Sequence, residues 1–234
     1  MNVLGIVDLY KRLSPSLKSS LIIIFILIVF AIIVGRKAAK QNPNKAPKGV
    51  LLLVEILVRW VNGMCDEIMG EKGKRYSPMI LTFVMFIFIA NIAGLFGLHP
   101  PTANIAITVG LGFISGFLIH WTGIKEQGVK NWLKGFLDPT PIMLPMNIIS
   151  ELITPLSLGM RLFGNILSGV IIMNMIYVVL TGLNVGMLPL GAIVTPFVTP
   201  VFHAIFDIFF GAIQTYVFAL LTIVFISGKM PEEE

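Results

Sequence analysis

The sequence Pro155-Leu-Ser-Leu-Gly-Met-Arg-Leu-Phe-Gly-Asn-Ile-Leu-Ser168 places an arginine in the middle of a long apolar region. In the 87 residues from 142 to 228 the only other charges are Glu151 and Asp207. A guanidinium stays protonated, so burying it among Leu, Ile and Phe is costly unless a partner or a wet cavity receives it. Arg161 is therefore the first candidate functional residue.

The composition indicates an integral membrane protein. Of the 234 residues 56% are hydrophobic and only 12% are charged, about half the charge of a soluble domain. The basic residues lie between apolar runs, a pattern that sets membrane orientation rather than one that binds nucleic acid. With one cysteine, Cys65, the chain can form no internal disulfide, and no Cys/His cluster has zinc-ligand spacing. We therefore expect neither a metal nor a cofactor.

Apolar run lengths predict an all-α fold with five transmembrane helices and one interfacial amphipathic helix, in a single membrane domain. The four charges of residues 50–70 make that segment a poor spanning helix but a good interfacial one. Arg36 and Lys37, rather than a small-residue cleavage site, follow the first run, so we interpret it as a retained span and not as a signal peptide. The expected spans are residues 19–35, the hairpin 77–98 and 103–123, and 142–181 and 190–228.

The last two spans are too long to cross upright. A helix of forty residues is roughly 60 Å long, about twice the hydrocarbon thickness. Fragments cut at Pro155, Pro196 or Pro200 would be too short to cross, so we expect two long, steeply tilted helices, kinked at these prolines.

The distribution of basic residues predicts the orientation. Nine Lys or Arg lie from Arg36 to Arg75, three from Lys125 to Lys134 and one at Lys229. The loops near His99 and Gly182 have none. The positive-inside rule then places the amino terminus outside and the carboxyl terminus in the cytoplasm of a multi-pass cell-membrane protein.

Polar residues recur at helical spacing along both long spans, and hydrocarbon satisfies none of them. They are Asn147, Glu151, Thr154, Ser157, Arg161, Asn165 and Ser168 on the first span, and Thr195, Thr199, His203, Asp207 and Gln214 on the second, where Gly211 continues the same spacing. Three interpretations are open. In the first, the polar residues hold the two helices together by hydrogen bonds, and Arg161 forms an ion pair with Asp207 or Glu151. In the second, they form a hydrated relay for ions or protons. In the third, His203 and Asp207 form a catalytic or metal site.

The motif Ser157-Leu-Gly-Met-Arg-Leu-Phe-Gly-Asn165, together with Gln214 in an Ile-Gln-x-x-x-Phe-x-x-Leu-Thr run, resembles the a subunit of bacterial F-type ATP synthases. Asn91, in an Ala-Asn-x-x-Gly stretch, fits the same family, and the resemblance covers most of the chain. It implies a stator subunit that does no catalysis of its own. Such a subunit provides two offset half-channels beside a rotor ring of small carboxylate-bearing subunits, next to peripheral-stalk membrane subunits.

The resemblance also implies roles for individual residues. Arg161 faces the passing ring carboxylate, and Asn165 and Gln214 line its surroundings. Glu151 lines the cytoplasmic half-channel and Asp207 the outer one. Val170 departs from the family, which usually has a carboxylate or histidine there, and we expect His203, one turn from Asp207, to compensate.

The alternative function is a secondary transporter that binds an anionic substrate at Arg161. Transporters usually show internal repeats and helices broken at the midplane, and this chain has no repeat. The sequence leaves open whether protons or sodium ions are carried, because the selecting carboxylate would belong to the ring.

Overall fold

The structure is a computed structural model that describes residues 14–41, 46–137, 140–182 and 190–230. Regular structure in these residues is helical, without strands, as the apolar runs predict. Seven α-helices follow one another in the described ranges: α1 Pro15–Ala39, α2 Val50–Met69, α3 Ser77–Ile92, α4 Ile105–Gly135, α5 Leu144–Gly182, α6 Leu190–His203 and α7 Gly211–Ser227. Short 3-10 turns lie on both sides of α3 and before α4 and α5, and the π-helical segment Ala204–Phe210 joins α6 to α7.

Five helical segments are long and apolar enough to cross a membrane, which confirms the expected fold class. They are Pro15–Ala39, Ser77–Phe96, Ile105–Gly135, Pro141–Gly182 and Gly191–Ser227. The remaining helix, α2, is amphipathic: it buries Val61, Cys65 and Met69 on one face. On its exposed side Arg59 pairs with Glu55, the i, i+4 contact that the spacing favours.

Local sequence explains where helices begin. Ser14 accepts a hydrogen bond from the Leu17 amide, and Pro15 occupies the first turn, where a missing N–H costs nothing. Asn104 caps α4 in the same way through the Ala106 amide. Beyond residue 123 α4 continues to Gly135 where the sequence analysis placed a connector. A kink at Gly128, with φ 77°, separates the two parts, because glycine adopts this backbone conformation without a steric cost.

Helices α4 and α5 approach each other closely through small residues. A Cβ added at Gly112 would fall on the Pro155 carbonyl oxygen, and one added at Gly159 would lie 2.6 Å from the Thr108 carbonyl oxygen. The Pro155 ring itself packs against Gly116, and α5 continues as a helix through this proline. Gly112 and Gly116 therefore let α5 approach α4 closely, whereas a Cβ added at Gly110 would meet nothing within 4 Å.

The main core lies where α2, α3 and α7 meet. Ile80 and Ile87 from α3 are fully buried against Ile223 from α7, and Phe83 packs edge-on to Phe218 at 5.7 Å. This core fixes α7 against the rest of the bundle, and it therefore fixes the position of the π-helical segment that immediately precedes α7.

The π-helical segment is the main departure from the expected uniform helix in the last span. Two asparagines from other helices donate into its carboxyl end: Asn91 Nδ2 to the Gly211 carbonyl at 3.1 Å, and Asn165 Nδ2 to the Phe210 carbonyl at 3.4 Å. Side chains that insert into a helical hydrogen-bond ladder bend or widen it, and such wide turns are frequent at functional sites. The wide turn also shifts the side-chain register, so residues before and after it no longer share one stripe.

Candidate functional site

Arg161 lies on an exposed face of α5. Ser157, Gly164 and Ser168 are exposed with it at helical spacing, and nothing lies within 4 Å of a Cβ built at Gly164. Within the described ranges Arg161 has neither a hydrogen bond nor an ion pair. A permanent cation with small neighbours and no partner among the described residues is placed to meet a group from another molecule.

The two acids that were possible ion-pair partners of Arg161 bind other residues. Asp207 bonds to His203, and Glu151 bonds to Lys229. Interhelical ion pairing of Arg161 with either acid, one of the three interpretations of the polar stripes, is therefore absent from the structure as described. The stripe on α5 is partly satisfied within its own helix, since Thr154 and Ser168 donate to carbonyls of α5 itself.

Near the carboxyl end of α5 a cavity of about 780 Å³ lies between α5, α6 and the end of α3. We call it the His203 cavity. Most of its lining is apolar, and its polar groups are Tyr177, Thr181, Thr195, Thr199 and His203. The Thr199 hydroxyl is buried and has no partner among the described protein atoms, a position that suits a bound water.

Three side chains form a hydrogen-bonded chain at the His203 cavity. His203 Nδ1 lies 2.7 Å from Asp207 Oδ2, and His203 Nε2 lies 3.1 Å from the Tyr177 hydroxyl. An ionised carboxylate only accepts, so with Asp207 charged the proton of neutral His203 sits on Nδ1, and Nε2 accepts from Tyr177. This arrangement can pass a proton from hydroxyl to imidazole to carboxylate without any large movement.

The expected partnership of His203 with Asp207 is thus present, and Tyr177 is a residue that the sequence analysis missed. It follows Val170 by seven residues, so it lies two turns further along the same face of α5. Val170 is 40% exposed and offers no polar group. Its position, two turns beyond the site where the family usually has a carboxylate or histidine, was the feature of the sequence that could have identified Tyr177.

At the opposite end of α5 a polar cavity of about 570 Å³ is bounded by α4, α5 and the carboxyl end of α7. We call it the Glu151 cavity. Its lining includes Gln127, Asn131, Lys134, Asn147, Ser150, Glu151 and Lys229. Among the described residues, a mostly apolar cavity and a polar one thus lie toward opposite ends of α5, and neither lining includes Arg161.

Three ionisable groups from three helical regions meet at the Glu151 cavity. Lys229 Nζ binds Glu151 Oε1, and His120 Nε2 lies 3.7 Å from Glu151 Oε2. From the sequence, Lys229 is predicted only as an orientation charge, and His120 has no predicted role at Glu151. Neither could be found from spacing, because 31 residues separate His120 from Glu151 and 78 separate Glu151 from Lys229.

The two amides expected near Arg161 lie in different settings. Asn165 bonds to the π-helical segment, as described above. Gln214 on α7 is 8% exposed, and its Nε2 has no hydrogen-bond acceptor among the described atoms. No hydrogen bond of the described residues joins either amide to Arg161.

Comparison with known proteins gives one consistent result. The family model described as ATP synthase A chain matches residues 18–227. An ATP synthase subunit a of Streptococcus agalactiae is 35% identical over 227 residues, covering 91% of this chain and 87% of that protein. The subunit a of Oceanobacillus iheyensis is 32% identical, covering 99% of this chain and 96% of that protein. The subunit a of Moorella thermoacetica is 28% identical, covering 86% of each. The chain therefore belongs to the ATP synthase A chain family, the a subunits of the membrane sector of bacterial F-type ATP synthases.

Proposed function

We propose that this chain is the ion-translocating stator subunit of an ATP synthase membrane sector. It provides two offset half-channels and presents Arg161 to the carboxylates of a rotor ring. It couples ion flow to rotation and carries out no covalent chemistry by itself. The ring and the peripheral-stalk membrane subunits are its protein partners, and the lipid bilayer is its solvent.

The observation that carries this proposal is the position of Arg161. It is exposed and unpaired within the described residues, on the helix that also reaches both the His203 cavity and the Glu151 cavity. Glu151 precedes it by ten residues and Tyr177 follows it by sixteen. At 1.5 Å per residue these side chains lie about 15 Å and about 24 Å from Arg161 along the helix axis, in opposite directions. The fixed charge of Arg161 therefore lies between the two proposed half-channels along α5.

This separation can drive rotation through elementary electrostatics. A guanidinium favours the ionised form of a carboxylate that comes near it, so a ring site releases its ion when it arrives opposite Arg161. A bare carboxylate pays a large desolvation penalty in lipid, so the ring turns onward only after the site has bound a new ion. The same positive charge repels cations and prevents a direct leak from one cavity to the other.

Each cavity supplies one half-channel in this scheme. In the His203 cavity Tyr177, His203 and Asp207 form the relay, so His203 takes over the role for which Val170 has no polar group. In the Glu151 cavity Glu151 is the titratable group nearest to Arg161 along the helix. The distribution of positive charges supports an orientation in which the Glu151 cavity lies at the cytoplasmic face of the cell membrane, with the amino terminus outside and the carboxyl terminus in the cytoplasm.

Large exposed side chains support a protein partner along α5. The exposed surface around Arg161 includes Met160, Leu167 and Ile171. Lipid alone would accept these residues, but it would not accept the guanidinium between them. A rotor that brings carboxylates to this face satisfies both the apolar and the charged parts of the surface.

Secondary transport remains the second candidate function. It requires an anionic substrate at Arg161, but Arg161 lines neither the His203 cavity nor the Glu151 cavity. Substrate pockets are concave and bury most of the ligand, whereas this arginine is exposed. The structure therefore supports the stator function better.

The decisive experiment is Arg161→Gln in the complete ATP synthase reconstituted into vesicles. We expect loss of ATP-driven ion pumping with the ring and the a subunit still co-purifying. Arg59→Gln on exposed α2 is the matched control and should pump like the parent. Pumping by Arg161→Gln at the parental rate would refute the proposal, and uptake of an organic anion by the isolated chain would favour transport. Varying pH and sodium in the same vesicles identifies the ion.

A further inference from the structure

The Glu151 cavity contains a charge that the proposed mechanism does not use. Lys229 follows the last turn of α7 and reaches back to bind Glu151 on α5. Both side chains are about one-quarter exposed, with relative accessibilities of 28% and 24%. The ion pair is therefore partly exposed to solvent, and each side chain strongly affects the orientation of the other.

The backbone around Lys229 is held independently of this ion pair. Gln127 Nε2 on α4 donates to the Lys229 carbonyl at 2.8 Å, and the Ser227 hydroxyl donates to the Ile68 carbonyl at 3.0 Å. The Lys229 stem also packs beside Gly123, where an added Cβ would lie 3.6 Å from the Lys229 Cβ. Because these contacts do not involve the ammonium group, removing the charge leaves the end of α7 in place.

The second neighbour of Glu151 comes from α4. His120 Nε2 lies 3.7 Å from Glu151 Oε2, and its ring packs edge-on to Trp132 at 5.9 Å. His120 Nδ1 is buried without a partner among the described atoms, so the ring is held mainly by packing. Lys229 and His120 therefore contact different oxygens of one carboxylate, and together they fix its orientation at the wall of the cavity.

We propose that Lys229 is a positioning residue for Glu151, whose ammonium group holds the carboxylate in the place from which it receives the translocated ion. This inference rests on the proposed function, because it assigns Lys229 to the half-channel that contains Glu151. Within the described residues the Lys229 ammonium pairs with Glu151 and has no hydrogen bond or ion pair with Arg161, so we assign its effect to Glu151. Its effect must therefore disappear when the Glu151 charge is absent.

The test is a double-mutant cycle on ATP-driven pumping in reconstituted ATP synthase. We expect Lys229→Gln to lower the rate roughly three- to tenfold, and Glu151→Gln to lower it at least as much. Adding Lys229→Gln to Glu151→Gln should cause no further loss. Lys229→Arg, which keeps the charge, should restore most of the rate. Lys130→Gln, an exposed position on α4 outside the cavity lining, is the control and should pump normally.

The other outcomes separate the two proposals. Equal fractional losses from Lys229→Gln in both backgrounds would show a general structural effect and overturn the positioning role. Parental pumping by Lys229→Gln would overturn it as well. Should Lys229→Gln fail to assemble, Lys229→Met keeps the alkyl stem beside Gly123, and the same cycle is run with that variant. If Arg161→Gln also pumped normally, the proposed stator function would be wrong. If Arg161→Gln lost pumping but Lys229 and Glu151 showed no interaction in the double-mutant cycle, only the positioning role of Lys229 would be wrong.

Discussion

Asn91 on α3 donates a hydrogen bond from Nδ2 to the carbonyl of Gly211, at the point where the π-helical segment gives way to α7. The two residues are 120 positions apart in the sequence, and Asn91 is 2% exposed. The Thr215 hydroxyl donates to the same carbonyl at 2.8 Å, so two side chains stabilise one backbone oxygen. The geometry at Asp207, inside the π-helical segment, therefore depends on a residue from another span.

Replacing Asn91 by leucine should destabilise the junction between the π-helical segment and α7. Asn91→Leu removes the donor but keeps the size, and Thr215 still satisfies part of the Gly211 carbonyl, so we expect a loss of about 1 kcal/mol. The thermal midpoint of the purified membrane sector in detergent measures this change. Asn174→Leu, at an exposed position of α5, is the matched control with an expected change within about 0.5 kcal/mol. Equal midpoints for the two variants would contradict the role of Asn91.

Two glycines on α4 give a second comparison. Gly112→Ala places a methyl group on the Pro155 carbonyl oxygen, so α4 and α5 must separate, at a cost of about 1–3 kcal/mol. Gly110→Ala, half a turn earlier, meets nothing within 4 Å and should not destabilise the protein. The midpoint of thermal unfolding in detergent distinguishes the two. A stable Gly112→Ala protein would show that the helices do not approach as closely as described.

The fold follows from the sequence because apolar run length and charge placement act locally. The five spans and amphipathic α2 need no information beyond their own residues, since a bilayer requires about twenty apolar residues for each helix. The π-helical segment could not be found in this way. It depends on Asn91 and Asn165, which reach it from two other helices, and no local propensity records such contacts.

The candidate site also combines features that local sequence predicts with features that depend on how the helices pack. Arg161 is identifiable because a permanent charge in a membrane span is rare whatever surrounds it. The link between His203 and Asp207 is also local, since they lie four residues apart. In contrast, the partners that complete each cluster, Tyr177 and Lys229, come from other helices and have ordinary sequence surroundings. Their roles appear only when the helices are packed together.

The single cysteine allows a prediction on α2, which is outside the membrane spans. Burial, with a smaller contribution from the adjacent charge of Asp66, raises the pKa of the Cys65 thiol to about 11. The thiolate is the reactive form, so a pKa raised by about two units lowers the alkylation rate at pH 8 about a hundredfold, and the rate recovers as the pH approaches 11. Maleimide labelling of the folded protein measures this rate.

The control for this prediction moves the thiol along the same helix. Combining Cys65→Ser with Glu67→Cys places it at an exposed position two residues away, where it should label at the ordinary rate. Rapid labelling of Cys65 in the native protein at pH 8 would mean that α2 does not pack on the core as described.

The chain of Tyr177, His203 and Asp207 makes the sharpest functional prediction. The imidazole contacts both oxygen groups, at 3.1 Å and 2.7 Å, and it alone connects them. His203→Gln should therefore lower ATP-driven pumping about a hundredfold, the lower end of what a positioned proton-transfer group contributes. Tyr177→Phe should cost only about two- to threefold, because water in the His203 cavity can replace a hydroxyl. In the His203→Gln background it should cost nothing further, since the hydroxyl acts through the imidazole.

Tyr216→Phe is the matched control for the tyrosine, because Tyr216 lies on α7 with its ring 6.0 Å from Trp60 and away from the His203 cavity. It should leave pumping unchanged. Pumping at the parental rate by a fully assembled His203→Gln protein would show that ions reach Asp207 without the imidazole, and His203 would then not replace the polar group that Val170 lacks. Loss of pumping in Tyr177→Phe as complete as in His203→Gln would instead make the hydroxyl indispensable, because water would then have failed to substitute for it.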